Sequence, residues 1–336
     1  MIPPQDKSLM IPRNTTIDLA KFVAALLVVA IHTVLFSDVN DILYFVFNEV
    51  VCRLGVPFFA VCSGYFFCKG MSTGGTKTLI KSERKLIRIY ALWTVLYYLF
   101  LLPNWIQIDY FSLASVIGYL KSSLLSGSYF HLWYVLYVIY ALPVFYLILK
   151  YFGRKMWLCC SIGLWGIYAL GYGYSSILPL SISHLLGYTD FYAPVSAQFV
   201  ILPLLLLGAY LCDRKEKGDM IKKNLTFLTI SFLFLLVEGS VLKYRLGLEG
   251  VTRIFMILPV SYFLFSLLLG IQIKSISFKY FGKMSLIIYC IHPMKYINTA
   301  IQDSISAYLI VCILSASVSL AWLWFSNEKN YYLNIL

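Results

Sequence analysis

Apolar runs interrupted by short polar loops at intervals of about 20–25 residues run the length of the chain, the spacing of membrane-spanning helices rather than of barrel strands. Ten spans are predicted, at roughly 16–36, 43–67, 87–102, 132–149, 156–175, 195–211, 224–242, 254–273, 284–298 and 305–325. Phe111 to Leu125 is too short and too polar to cross a bilayer and is expected to lie on its outer surface. Basic residues orient the array. Lys7 and Arg13 precede the first span, a dense group from Lys69 to Arg88 follows the second, and Lys150, Arg154 and Lys155 follow the fourth. Asp213 to Lys223 and the set Lys274, Lys279 and Lys283 complete the cytoplasmic side. The expected product is an all-α, polytopic integral membrane protein of about ten helices in the cytoplasmic membrane, both termini inside. It divides into an N-terminal tail (1–15), a transmembrane domain (16–326) and a short tail (327–336). One loop opposes the charge rule: Lys243, Arg245, Glu249 and Arg253 fall outside, as tolerated sequence or as an anion site.

Composition agrees with this reading and narrows it. Of 336 residues, 60% are hydrophobic and 12% charged, which excludes a single soluble core. The net charge of +12 has no solvated domain to carry it as a basic patch, so it reads as topology signal and no nucleic-acid partner is expected. No signal peptide is expected, because the first span has no small-residue cleavage site. Six of the eight cysteines (Cys52, Cys62, Cys159, Cys160, Cys290 and Cys312) sit in apolar runs without metal-ligand spacing, so they are expected to pack as small apolar residues, with no metal site.

The chemistry lies in ionisable residues inside the spans. Asp18, Lys21 and His32 fall within an arc of roughly 60° on the first helix. Each would cost about 2.5–3.5 kcal/mol at a bilayer centre, so that face should line the protein interior. His32 lies about 24 Å along the span, near its outer end. Arg53 in the second span precedes Pro57, which should kink the helix and free a carbonyl. Glu238 occupies the outer half of the seventh span, His131 opens the fourth, and His292 precedes Pro293 in the ninth. Plainer readings stand beside these. His131, followed by Trp133 and Tyr134, reads as an anchor in an aromatic belt, Arg53 and Glu238 could neutralise each other, and Arg84, Lys85 and Arg88 read as topology signals.

Taken together the residues resemble a known family. Ile17-Asp18-Leu19-Ala20-Lys21-Phe22-Val23-Ala24-Ala25 with His32 is similar to the first-helix signature of the acyltransferase family 3 membrane proteins, and Arg53-Leu54-Gly55-Val56-Pro57-Phe58-Phe59 with Ser63-Gly64-Tyr65 to its second-helix motif. His131-Leu132-Trp133-Tyr134-Val135 and Ser285 to Pro293 resemble its fourth-helix and near-terminal motifs. Their joint occurrence in order is far more specific than any one of them. Two positions depart: Lys21 stands where the family usually has Arg, and Lys85-Leu86-Ile87-Arg88 where it has RxxR, keeping the charge but losing one bidentate fork. The branch that looks most similar is the membrane domain of the membrane-bound serine racemases of vancomycin-resistance clusters, implicated in serine uptake. Here a short tail, not a racemase domain, is expected after the tenth span.

The resemblance implies transfer of an acetyl or similar acyl group from cytoplasmic acyl-CoA (acetyl-CoA) to a hydroxyl acceptor, a cell-wall or surface glycan or a lipid-linked sugar, at the outer face. On that reading His32 is the general base or takes the acyl group, Arg53 stabilises the oxyanion, and Glu238 orients a histidine. Arg84, Lys85 and Arg88 hold the acyl-CoA phosphates, with Asp18, Lys21, His131 and His292 supporting the motifs. The alternative is a carrier for a small amino acid such as serine, with Arg53 on its carboxylate and Glu238 on its ammonium. Partners are membrane lipid and the acceptor glycan or amino acid; the sequence assigns no oligomeric state.

Overall fold

A computed structural model describes residues 14–107, 112–188, 192–212, 218–247, 253–273, 280–292, 301 and 303–328. Residues 1–13 and 329–336 of the tails, Glu249, Lys274, Lys279, residues 213–217 of the Asp213 to Lys223 loop and residues 293–298 of the ninth predicted span lie outside them.

The described residues are all-α. The helices are α1 (Thr15–His32), α2 (Asp41–Gly74), α3 (Thr76–Gln107), α4 (Leu113–Leu125), α5 (Trp133–Tyr151), α6 (Arg154–Tyr172), α7 (Leu180–Gly187), α8 (Ala193–Tyr210), α9 (Gly218–Leu246), α10 (Ile257–Gly270), α11 (Phe281–Ile291) and α12 (Ser304–Glu328). Seven of these, α1, α2, α3, α5, α8, α9 and α12, are long and apolar enough to cross a membrane. Among the remaining predicted spans, α6 is 19 residues long, whereas α10 and α11 run for 14 and 11. The third span is much longer than its apolar run: α3 begins at Thr76, directly after Gly75 with φ +51°, so the basic stretch read as a loop is helical.

Capping and turn chemistry set the ends. Asn14 accepts a hydrogen bond from Ile17 N at 3.1 Å and starts α1. After His32 the chain turns through Val34 and Phe36, both at positive φ, which ends the helix short of the predicted residue 36. Ser304 at the head of α12 ties this turn down, donating to the Asp38 carboxylate through its hydroxyl and its N–H. Those hydrogen bonds hold the Asp38 carboxyl below the ordinary carboxylate range.

Helix α2 differs from expectation. Its irregularity is not at Pro57 but upstream, where Tyr44–Val51 is wound as π-helix and Cys52–Leu54 as 3₁₀. Regular α-helix resumes at Gly55, which places Pro57 in a first turn, where its missing N–H leaves no gap in the ladder. The wound segment is anchored by Asn48, fully buried, whose amide donates to the carbonyls of Ala30 (2.8 Å) within α1 and Leu35 (3.5 Å) beyond its end.

The core sits where α8 crosses α2. Leu202 and Leu204 to Leu207 are all buried, so α8 is apolar on every side and occupies the centre. A Cβ on Gly64 would lie 2.0 Å from the Leu205 carbonyl oxygen, and one on Gly208 2.1 Å from that of Val61, so the two backbones touch. α9 and α12, with rows of exposed leucine, valine and phenylalanine, lie at the periphery. In the loop that opposed the charge rule, Lys243 Nζ pairs with Glu49 Oε2 at 2.7 Å and Arg253 stacks 3.3 Å above the Tyr172 ring centre. Two of its cations are thus satisfied within the protein.

Candidate active site

Three histidines from three helix ends meet. His32 closes α1, His131 stands just before α5, and His292 caps α11. The His32 and His292 ring centres are 5.0 Å apart, and those of His292 and His131 5.2 Å. Phe130 packs edge-on against His32 at 5.0 Å. His131 and His292 are 1% and 2% exposed, so His131 is a buried member of this cluster and not an anchor in an interfacial belt.

The surroundings fix these rings. His292 Nδ1 lies 2.7 Å from the Tyr289 carbonyl and 3.3 Å from that of Ile288; it therefore carries the hydrogen and leaves Nε2 as an acceptor. That Nε2, and both ring nitrogens of His131, are buried without a hydrogen-bond partner among the described residues. Tyr289 donates its hydroxyl to the His131 carbonyl, and Tyr97 donates to the Cys290 carbonyl at 2.6 Å. Tyr97 and Tyr129, stacked at 4.2 Å, wall His131 on the other side. Buried ring nitrogens left without a partner in an aromatic frame make this cluster the candidate site.

Arg53 joins this group: its guanidinium interacts electrostatically with His32, and its buried Nε has no hydrogen-bond partner among the described residues. The acid near Arg53 is Glu49, one turn earlier, itself paired with Lys243. Glu238 is employed elsewhere. Its Oε1 accepts from the Tyr174 hydroxyl (2.6 Å) and Phe255 N (2.8 Å), and its Oε2 from Met256 N (2.9 Å), so it caps the entry to α10. The expected Arg53–Glu238 pair and the expected Glu238–histidine contact are therefore replaced by a structural cap, because two unsatisfied amides at a helix start outcompete a distant cation. Glu238→Gln, which sets an NH₂ against one of those amides, should destabilise the protein by about 1–3 kcal/mol in thermal unfolding.

Beside the histidines lies a cavity of about 840 Å³, sharing Tyr289 and Tyr134 with their frame. Lys21 of α1 and Lys77, Lys81 and Lys85 of α3 line it, with the hydroxyls of Ser63, Thr73, Thr78 and Ser82. Lys77, Lys81 and Lys85 recur every fourth residue, one stripe of a helix. Of the three predicted phosphate ligands, all exposed, Lys85 lines this cavity and Arg84 and Arg88 do not. Lys21 also stands 4.5 Å over the Phe66 ring, and Asp18, buried at the foot of α1, packs on the Gly282 backbone of α11. The first helix thus splits its charges: Asp18 and Lys21 attend the cavity side of α11 and α3, and His32 the cluster at the other end.

The fold and site define an integral membrane protein with a buried histidine–arginine centre next to a lysine-lined cavity. The chain belongs to the acyltransferase family 3, whose acyltransferase-domain model matches residues 14–324. It is similar to an amino-acid racemase of Enterococcus faecalis, 28% identical over 331 residues, covering 91% of this chain and 44% of that protein. It is also similar to a serine/alanine racemase of Enterococcus gallinarum, 27% identical over 356 residues, 94% of this chain and 48% of the relative. The chain thus spans less than half the length of these relatives. No solved structure matches it.

Proposed function

We propose that the protein moves an acyl group from acyl-CoA, bound from the cytoplasm, to a hydroxyl acceptor at the opposite face of the cytoplasmic membrane. The observation that carries this reading is the adjacency of the histidine cluster, with its unpartnered nitrogens at His131 and His292, and Arg53 to a cavity lined by four lysines. The donor set suits a polyphosphate: ammonium groups at Lys21, Lys77, Lys81 and Lys85 neutralise phosphate charge, and Phe59, Phe66 and Phe67 give the remainder an apolar wall. His32 takes the proton of the acceptor hydroxyl as its oxygen attacks the thioester carbonyl. Arg53 stabilises the oxyanion formed there. As the carbon–sulfur bond breaks, the proton on the imidazole passes to the departing thiolate, returning the base to its neutral state.

The racemase relatives keep the carrier alternative in view, a serine-like zwitterion held by Arg53. With Glu238 committed to amides, that reading lacks its ammonium ligand. One experiment separates them: purified protein in liposomes, given labelled acetyl-CoA and, in parallel, labelled serine. Acyl transfer without serine uptake is the expected result; uptake without transfer would replace this function with the other.

Two further outcomes follow. Lys81→Ala and Lys85→Ala should each weaken acetyl-CoA binding several-fold, and Arg84→Ala and Arg88→Ala little, measured by equilibrium binding at fixed salt; the reverse order would move the donor site out of the cavity. A reporter fused after Leu336 should read cytoplasmic, and an external signal would invert the proposed sidedness.

A further inference from the structure

The chain does not simply leave α1 at His32. It turns through Val34 (φ +47°) and Phe36 (φ +71°), the only non-glycine residues at positive φ among those described. The left-handed region is costly for any side chain and most so for a β-branched one, so a helix that needed only to end would place glycine here. Strain of this kind persists where the surrounding structure holds it. The hold comes from another helix. Asn48 of α2, fully buried, donates from Nδ2 to the Ala30 carbonyl at 2.8 Å. The same oxygen accepts from Leu35 N at 3.1 Å, the bond that closes the turn, and from the Thr33 hydroxyl at 3.3 Å. Asn48 Nδ2 also reaches the Leu35 carbonyl at 3.5 Å, and Phe47 beside it packs edge-on against Phe36 at 5.4 Å. Both ends of the turn are therefore tied to one point on α2.

The two stretches joined in this way carry the two groups of the proposed chemistry. Ala30 stands two residues before His32, and Asn48 five before Arg53, whose guanidinium interacts electrostatically with His32. The winding of α2 is π-helical and then 3₁₀ over Tyr44–Leu54, so no regular α ladder dictates the direction of Arg53. A neighbour of Asn48 ties the same stretch on another side, where Glu49 pairs with Lys243 of α9 at 2.7 Å. As a packing residue Asn48 is a poor choice: its Oδ1 is buried with no hydrogen-bond partner among the described residues, and an apolar side chain would fill the place without that cost. What the amide supplies is a fixed distance between helices. We infer that Asn48 is a positioning residue for the transfer: its amide holds the strained turn after α1 and so keeps the His32 imidazole in place against Arg53. The inference rests on the acyl-transfer reading and adds to it a residue that acts through His32.

The test uses the full chain in phosphatidylglycerol nanodiscs, with labelled acetyl-CoA as donor and methyl glucoside as acceptor. Asn48→Ala should lower kcat about 10²-fold, the usual cost of misplacing a reacting group by an ångström, and leave the KM for acetyl-CoA within about twofold of the parent. Val34→Gly meets φ +47° without a Cβ and should transfer at the parent rate. Added to Asn48→Ala, it should restore kcat to within about fivefold of the parent, because the turn then closes without being held. Diethyl pyrocarbonate reads the imidazole without an acceptor. Carbethoxylation of His32, followed by mass spectrometry, should quicken about tenfold in Asn48→Ala and slow again with Val34→Gly, while the exposed His184 reacts alike in every protein. Should Asn48→Ala accumulate only with Val34→Gly, recovery of kcat in that pair is the result expected. An unchanged kcat in Asn48→Ala, a fall in acetyl-CoA binding along with kcat, a pair no faster than Asn48→Ala alone, or unchanged carbethoxylation of His32 would each overturn the inference. So would an Asn48→Ala protein that fails to accumulate both with and without Val34→Gly. If the parent transfers nothing while carbethoxylation of His32 still answers to Asn48→Ala, the acyl-transfer reading falls and the hold of Asn48 on His32 stands.

Discussion

His32→Ala protein is expected to accumulate folded, to bind acetyl-CoA as the parent does, and to transfer acyl groups about 10²–10⁴-fold more slowly, the usual cost of removing a general base. The expectation rests on position. His32 is the last residue of α1, and its ring packs on Phe130 and His292. Truncation there removes a base while leaving Ala24, Ala25, Val28 and Val29 to hold the helix. The lysine cavity is built from Lys21 and α3, more than two turns away on the chain, so donor binding should survive. Single-turnover transfer to a saturating acceptor, run beside a binding isotherm and a melting curve, separates the three quantities. A variant that transfers at close to the parent rate would make His32 a packing residue, and the mechanism would pass to His292, whose Nε2 is the other oriented acceptor.

How much of this could be read beforehand depends on whether partner and residue share a pattern. The helices were legible because hydropathy is a property of a run, and each predicted span finds a helix. The histidine cluster was legible in its members but not in its geometry: His32, His131 and His292 each sit at a helix end, yet only packing brings α1, α5 and α11 to one point, so His131 looked like an interfacial anchor. Glu238 misled because its partners are backbone amides of Phe255 and Met256, which carry no sequence signature. Lys77 and Lys81 were counted as loop charges, although their spacing with Lys85 is helical; the signal was present and the charge rule masked it. Glu49 sits in an apolar run, four residues before the arginine whose charge it favours, and no pattern of that run sets it apart. The π-helical winding of Tyr44–Val51 had no legible cause, since Asn48 acts through carbonyls on another helix.

Gly64→Ala and Gly208→Ala are expected to prevent most of the protein from folding. Without a hydrophobic difference between lipid and protein, helices in a bilayer associate through close contact, and here α2 and α8 touch backbone to backbone. A methyl group at Gly64 would sit 2.0 Å from the Leu205 oxygen, and one at Gly208 2.1 Å from the Val61 oxygen, where a carbon–oxygen contact needs about 3.3 Å. A carbonyl in a helix cannot rotate away, so the helices must part by more than an ångström and the layer of Leu204 to Leu207 loses its packing on α2. Overpacking usually costs about 1–3 kcal/mol, and a clash with rigid backbone belongs above that range. Both clashes are relieved by one separation, so the double substitution should cost less than the sum of the singles. Gly163→Ala supplies the control, because a Cβ there meets nothing within 4 Å in the middle of α6 and should be neutral or slightly stabilising. Thermal unfolding in detergent, followed by gel filtration, reads all four proteins. The crossing also reaches the chemistry: Arg53 lies about three turns from Gly64 on α2, so any folded remnant should keep donor binding at Lys77 to Lys85 yet transfer poorly. A Gly64→Ala protein that melts with the parent would mean that the two helices are free to separate, and that the position of Arg53 is set by the Asn48 anchor alone.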